Sequence, residues 1–215
     1  MAKATARFVC QHCGAVSPKW AGRCESCGEW NSIVEEAIDR PGPVARGGVG
    51  RRVEFVGLAG SGEPPPRCAT AIAELDRVLG GGLVPASAIL VGGDPGIGKS
   101  TLLLQAAASL ARTGRRVLYV SGEESIEQVR LRARRLGIHD SKLELAAAIN
   151  LRDIAASLEA AGDAALVVID SIQTMWLDAI DSAPGTVAQV RACSFELIRL
   201  AKSSKFAVVL VGHVT

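Results

Sequence analysis

The segment Gly93-Asp94-Pro95-Gly96-Ile97-Gly98-Lys99-Ser100 fits the pattern G-x-x-x-x-G-K-[ST] at every position. Its glycines let backbone N–H groups turn inward around a phosphate. The N-terminus of a following helix adds about half a positive charge aimed at the same point. In such a loop Lys99 reaches the terminal phosphates of ATP as a point charge, the Ser100 hydroxyl ligates Mg2+, and Thr101 comes next on the helix, within reach of the inner phosphate. Phosphoryl chemistry needs a second part, an acid at a strand end that holds the metal through water, and Leu166-Val-Val-Ile-Asp170 supplies it. It also needs a group that orients or deprotonates water. Residues 117–121 read as a strand near the phosphate-binding one, and Gly122-Glu123-Glu124 follows. Glu123 is the expected base, with Glu124 as partner or substitute. Both could instead be ordinary first-turn acids of the next helix. His213, after the last apolar run, is placed to feel the γ-phosphate and pass on its loss; a structural histidine is the alternative.

A second chemistry lies near the N-terminus. Cys10-x-x-Cys13 and Cys24-x-x-Cys27 stand ten residues apart, each pair followed by glycine, Gly14 and Gly28. Four thiolates make a closed tetrahedral zinc site, structural in role, with iron the minor alternative and two disulfides the bland one. His12 has no task in a four-cysteine set. Trp20 and Trp30 are expected to pack over the site, or else to offer a stacking platform for nucleic acid. Cys68 and Cys193 read as small hydrophobes.

These side chains need elements to hold them. Of 215 residues, 48% are apolar, which excludes global disorder, and only 4% are aromatic, so the core must be Ala, Val, Leu and Ile. Residues 87–92, 117–121, 143–147, 166–170 and 206–212 read as strands, the first and last of them buried. Residues 72–79, 99–112, 125–136, 150–161 and 186–203 read as helices. Strands alternating with helices imply a parallel sheet covered on both faces, an α/β fold. Residues 1–35 form the cysteine module, 36–67 a Gly/Pro/Arg-rich linker with one short strand over 53–58, and 68–215 the core. The chain stops just after a strand. An open sheet edge there points to a piece of a longer protein. Net charge is +2, which neither demands nor forbids a nucleic-acid partner. No apolar run spans a membrane, and no secretory signal opens the chain, so a cytoplasmic location is expected. Arg130, Arg132, Arg134 and Arg135 crowd one helix, either as a solvated face or as a nucleic-acid or subunit contact.

Several motifs together carry a family resemblance. They are the two Cys-x-x-Cys-Gly knuckles, Ile72-Ala-Glu-Leu-Asp-Arg-Val-Leu-Gly-Gly-Gly-Leu83, Gly92-Gly-Asp-Pro-Gly-Ile-Gly-Lys-Ser-Thr101, Tyr119-Val-Ser-Gly-Glu-Glu-Ser125, Val168-Ile-Asp-Ser-Ile-Gln-Thr174, Ser182-Ala-Pro-Gly185 and Leu210-Val-Gly-His-Val-Thr215. The whole chain resembles the RadA (Sms) family of bacterial DNA-repair ATPases. The resemblance implies a RecA-like ATPase core behind a C4 zinc finger. It implies a homohexameric ring on single-stranded and branched DNA, and DNA-stimulated, helicase-like hydrolysis that drives branch migration beside the RecA recombinase. It places His213 at the family's sensor position. Family members usually carry Gly where Ala71 and Ala86 stand, and they continue past this length with further core strands, a Lys-Asn-Arg-Phe-Gly motif and a protease-like domain without protease activity. Beside an ATP-driven DNA motor stand two other classes, a nucleotide-switched binding module with little turnover and a P-loop kinase acting on a small molecule.

Overall fold

Short strands that bury few side chains close a sheet around something smaller than a full hydrophobic core, and the described strands of the N-terminal unit, Met1–Pro64, are of that kind. The computed structural model describes residues 6–10, 16–17, 19–26, 28–37, 55, 57 and 65–213. Three strands, β1 (Ala6–Cys10), β2 (Val16–Ser17) and β3 (Ile33–Ala37), pair antiparallel in the order β2-β1-β3. No apolar alternation announces them in the sequence. Cys10 lies opposite Ile33 in the ladder, and Cys10, Cys24 and Ile33 are the buried centre, flanked by Phe8 and Ala21. A tight turn closes Cys24 onto Glu29, with Gly28 at φ 76. Trp20 and Trp30 do not pack over this centre. They stand 60% and 67% exposed beside Gly22, and the Arg23 guanidinium lies 5.8 Å from the Trp30 ring. Among the described residues the centre is filled by cysteine and isoleucine, with Phe8 and Ala21 against them. The short strand expected over 53–58 falls outside the described residues except for Phe55 and Gly57, which lie in no strand.

The second unit, Pro65–Thr215, begins with α1 (Ala73–Val78). It then alternates: β4 (Ala88–Gly93), α2 (Lys99–Arg112), β5 (Val117–Ser121), α3 (Ile126–Arg135), β6 (Glu144–Ala147), α4 (Leu151–Ala161), β7 (Leu166–Asp170), α5 (Val187–Ser204) and β8 (Ala207–His213). All five strands are parallel, in the order β4-β8-β7-β5-β6. The pleat sorts the core. Leu166, Val168, Val209 and Val211 face one layer with Leu104 and Leu110 of α2 and Val129 of α3. Val167, Ile169, Val208 and Leu210 face the other with Ile154 and Leu158 of α4 and Leu197 of α5. Every residue of β7 is buried, as a strand covered on both faces must be. Helix starts follow their caps. The Ser125/Gln128 capping box opens α3, the Asn150 side chain accepts from Arg152 N–H, and Thr186 accepts from Gln189 N–H.

One expectation about the sheet is corrected. The last strand is not an open edge: β8 lies between β4 and β7, because the final crossover inserts it into the sheet. The edges are β6 and β4, and Leu90 of β4 is 69% exposed. Ala71 and Ala86 stand at φ 61 and 62, in the left-handed region that a glycine would enter freely. The backbone keeps its shape there despite the Cβ, at a cost of about 1–2 kcal/mol each. At Ala71 the loop is pinned by Asp76, whose carboxylate accepts from Thr70 N–H and Oγ1 at 2.8 Å each and from Ala71 N–H at 3.1 Å. Among the described residues no helix is long and apolar enough to cross a membrane.

Candidate functional site

Four strand ends share one rim of the second unit. Gly93 of β4 is in register with His213 of β8, and Ser121 of β5 with Asp170 of β7. The carboxyl ends of parallel strands are where an open α/β sheet presents its loops to ligand. The phosphate loop runs from β4 into α2, with Gly96 and Gly98 at φ 80 and 96, conformations a side chain would strain. A Cβ on Gly93 would lie 2.5 Å from Ile97 Cδ1. No side chain caps α2, so its first N–H groups remain directed at the loop. Lys99 is buried, and its Nζ donates to the carbonyls of Gly93 and Asp94 at 2.7 Å each. Ser100 and Thr101 follow on the first turn of α2.

The strand that carries Glu123 is not a neighbour of the phosphate-binding strand: β8 and β7 stand between β4 and β5. Contact across that gap comes from side chains. The Ser171 hydroxyl donates to Glu123 Oε1, and His213 Nε2 lies 3.2 Å from the same oxygen. Gln173 Nε2 donates to the His213 carbonyl at 3.3 Å. Glu123 is held below the usual carboxylate range, first by the Ser171 hydroxyl and then by His213, against the opposing effect of burial; the charge of Lys99 adds to the lowering. The loop lysine and Glu123 therefore share one electrostatic field. His213 Nδ1 and Gln173 Oε1 are buried and have no hydrogen-bond partner among the described residues.

Asp170 is 7% exposed and accepts from the Tyr119 hydroxyl. Burial, then Asp170, pushes the ionisation of Tyr119 far up, while Arg132 opposes the shift. Glu124 turns elsewhere: its carboxylate is paired with Arg132, and its N–H donates to Ser121 Oγ at 2.9 Å. Neither glutamate is a first-turn acid, since α3 starts at Ile126 behind its Ser125 cap. Arg132 is 13% exposed, unlike its neighbours. Arg130 lies 3.6 Å from Glu127, and Arg130 and Arg134 border a cavity of about 550 Å³ beside α2 and β6. Sequence reasoning misses Tyr119, Arg132, Ser171 and Gln173. Two signals point towards them: Tyr119 is the chain's one tyrosine, two positions before the strand end, and Ser171 directly follows the acid. Gly122, between β5 and Glu123, admits nothing larger, since a Cβ would meet Thr174 Oγ1 at 2.0 Å.

The donor set fits a hard divalent cation. Ser100 offers a hydroxyl and Asp170 a carboxylate, both oxygen ligands of the kind Mg2+ takes, and among the described residues only the Tyr119 side chain donates to that carboxylate. In the N-terminal unit Cys10 is 0% exposed and Cys24 4%, two thiols gathered in one small centre, as a thiolate site requires. Cys13, Cys27 and His12 lie outside the described residues, and among the described residues no three metal-binding side chains cluster.

Residues 67–215 match the AAA domain family, and residues 8–35 match the rubredoxin metal binding domain, a zinc ribbon. The chain is 53% identical over its whole length to the DNA repair protein RadA of Brucella abortus, 49% to that of Pseudomonas aeruginosa and 45% to that of Bacillus subtilis. It spans about half the length of these relatives, 48% in each case. Among solved structures, one ATPase domain matches with a TM-score of 0.58 at 14% identity, over 71% of this chain and 65% of that one, which shows a shared fold. With a zinc-ribbon match ahead of a parallel-sheet domain, the chain belongs to the AAA domain family and is similar over its whole length to proteins named DNA repair protein RadA.

Proposed function

We propose that this chain is the nucleotide-hydrolysing part of a DNA-stimulated motor that moves on single-stranded DNA and drives branch migration of recombination intermediates. The observation that carries the hydrolytic half is the group Ser171–Glu123–His213, in which the charge of the buried Lys99 adds to the lowering at Glu123. In this assignment the backbone of residues 93–98 cradles the phosphates, Lys99 leaves the loop carbonyls for the terminal phosphates, and Thr101 meets the inner one. Ser100 and Asp170 hold Mg2+, which when bound neutralises charge on the phosphate oxygens. Glu123, kept ionised by Ser171 and His213, accepts the proton of the attacking water. His213 touches Glu123 through its ring and Gln173 through its carbonyl, which suits it to report loss of the γ-phosphate to β8 and to the turn after β7. Glu124 holds Arg132 and does not substitute for Glu123.

The DNA half rests on the relatives, which are named DNA repair protein RadA. On that footing the full-length protein works in the cytoplasm as a homohexamer with the RecA recombinase as partner. The test is ATP hydrolysis by this chain and by a full-length relative, with and without single-stranded DNA at stated salt. Stimulation by DNA of about tenfold or more supports the motor. Basal silence with tight nucleotide binding supports a switched binding module, and phosphate transfer to an added acceptor supports a kinase.

Cys10, Cys13, Cys24 and Cys27 are proposed to hold one zinc ion, with metal binding as the folding energy of a unit in which, among the described residues, three form the buried centre. Elemental analysis should find one zinc per chain. Chelation should release it and unfold residues 1–37 by amide exchange while the melting curve of the second unit stays in place. Loss of order in both units together would show the zinc unit is not independently held.

A further inference from the structure

We propose that Tyr119, steadied by Arg132, is the positioning residue that sets the Asp170 carboxylate for its magnesium-side role; this rests on the assignment of Asp170 made above. Tyr119 is 1% exposed inside β5, on the layer that packs against α2 and α3. A phenylalanine would fill the same volume, so packing does not call for the hydroxyl. A buried hydroxyl needs a partner, and this one has Asp170, on the neighbouring strand of the sheet. The hydrogen bond engages Oδ2 alone. It fixes the rotation of a carboxylate that has no other side-chain donor among the described residues, and it leaves Oδ1 for the site. Groups that orient a metal-side acid in this way govern metal affinity as strongly as many ligands do.

Arg132 completes the arrangement from α3. Its three arginine neighbours on that helix are exposed, whereas its guanidinium lies inside, paired with Glu124, with its charge beside the Tyr119 hydroxyl. One arginine thus ties the turn that carries Glu123 and Glu124 to the tyrosine that carries Asp170. Hydrolysis can then depend on the two acids being set together, without either touching the other.

The test is binding of a fluorescent ADP to the 215-residue chain while Mg2+ is titrated, with Mn2+ occupancy followed by electron paramagnetic resonance. Tyr119→Phe should raise the Mg2+ needed for half-maximal enhancement by about 10–100-fold. The affinity for ADP without metal and the melting temperature should stay near the parent's. Arg132→Lys, which keeps the charge and loses the planar fork, should shift in the same direction by less. Parental Mg2+ dependence and a parental Mn2+ spectrum in Tyr119→Phe would overturn the proposal. If Tyr119→Phe does not fold, parental Mg2+ dependence in Arg132→Gln overturns it, and a raised requirement supports it. Failure of the underlying site assignment has a separate signature: Asp170→Asn would then keep the parent's Mg2+ dependence, whereas a raised Mg2+ requirement in Asp170→Asn with none in Tyr119→Phe overturns the role of Tyr119 alone.

Discussion

Lys99→Ala should lower ATP hydrolysis by about 10²–10³-fold, the usual effect of removing one preorganised charge from the site where phosphate charge develops. The size follows from burial. Lys99 is 7% exposed, and its ammonium is bonded to two loop carbonyls at 2.7 Å. A cation in such a place is weakly screened and already ordered, so little is spent on fixing it when a phosphate takes over from the carbonyls. Alanine removes the charge and also the two bonds that hold residues 93 and 94 to the helix. Some loosening of the loop will follow, by about 1 kcal/mol per lost bond. Stability and chemistry can be separated by comparing the variant's melting curve with its nucleotide affinity. The expected pattern is a shift of a few degrees in melting with nearly complete loss of turnover. Turnover within a factor of about three of the parent, in a folded variant, would remove the loop from its proposed role.

Much of this site is legible in the amino-acid sequence alone. The loop pattern, the apolar run ending in Asp170 and the Glu123-Glu124 pair are local signals, each written in a short stretch of chain. Strand and helix positions in the second unit are equally readable, because β7 and β8 are mostly apolar runs and α3, α4 and α5 open on side-chain caps. Which strand stands beside which is not written locally. Insertion of β8 between β4 and β7 brings His213 towards Glu123, ninety positions away in the chain. The same order places Tyr119 against Asp170 and leaves Arg132 as the one inward arginine of α3. A 3.6-residue period separates Arg132 from Arg130 and Arg134 but does not say which side faces the acids. The N-terminal strands are illegible for another reason: an apolar pattern is the signal for a strand, and a unit organised around cysteines has no need of one.

Glu123→Gln should divide the two halves of the site. Glutamine keeps the shape of the side chain and an oxygen that can accept from Ser171 Oγ and face His213 Nε2, so the local hydrogen bonds persist. It removes the negative charge and the ability to take a proton from water. Nucleotide affinity should therefore stay within about threefold of the parent, since Lys99 and the loop glycines are untouched. Hydrolysis should fall by about 10²–10⁴-fold, the range general-base catalysis supplies. Glu124→Gln is the control. Its partner is Arg132, so glutamine there leaves a largely buried guanidinium without its counter-charge and acts on the setting of Asp170 through Tyr119. That variant should keep more turnover than Glu123→Gln and should shift the Mg2+ requirement, which Glu123→Gln should not. Single-turnover hydrolysis across a Mg2+ series reads both quantities at once. If the two variants exchange these phenotypes, Glu124 is the base and Glu123 only a tether between Ser171 and His213, despite the lowered ionisation of Glu123 and its place in the field of the loop lysine.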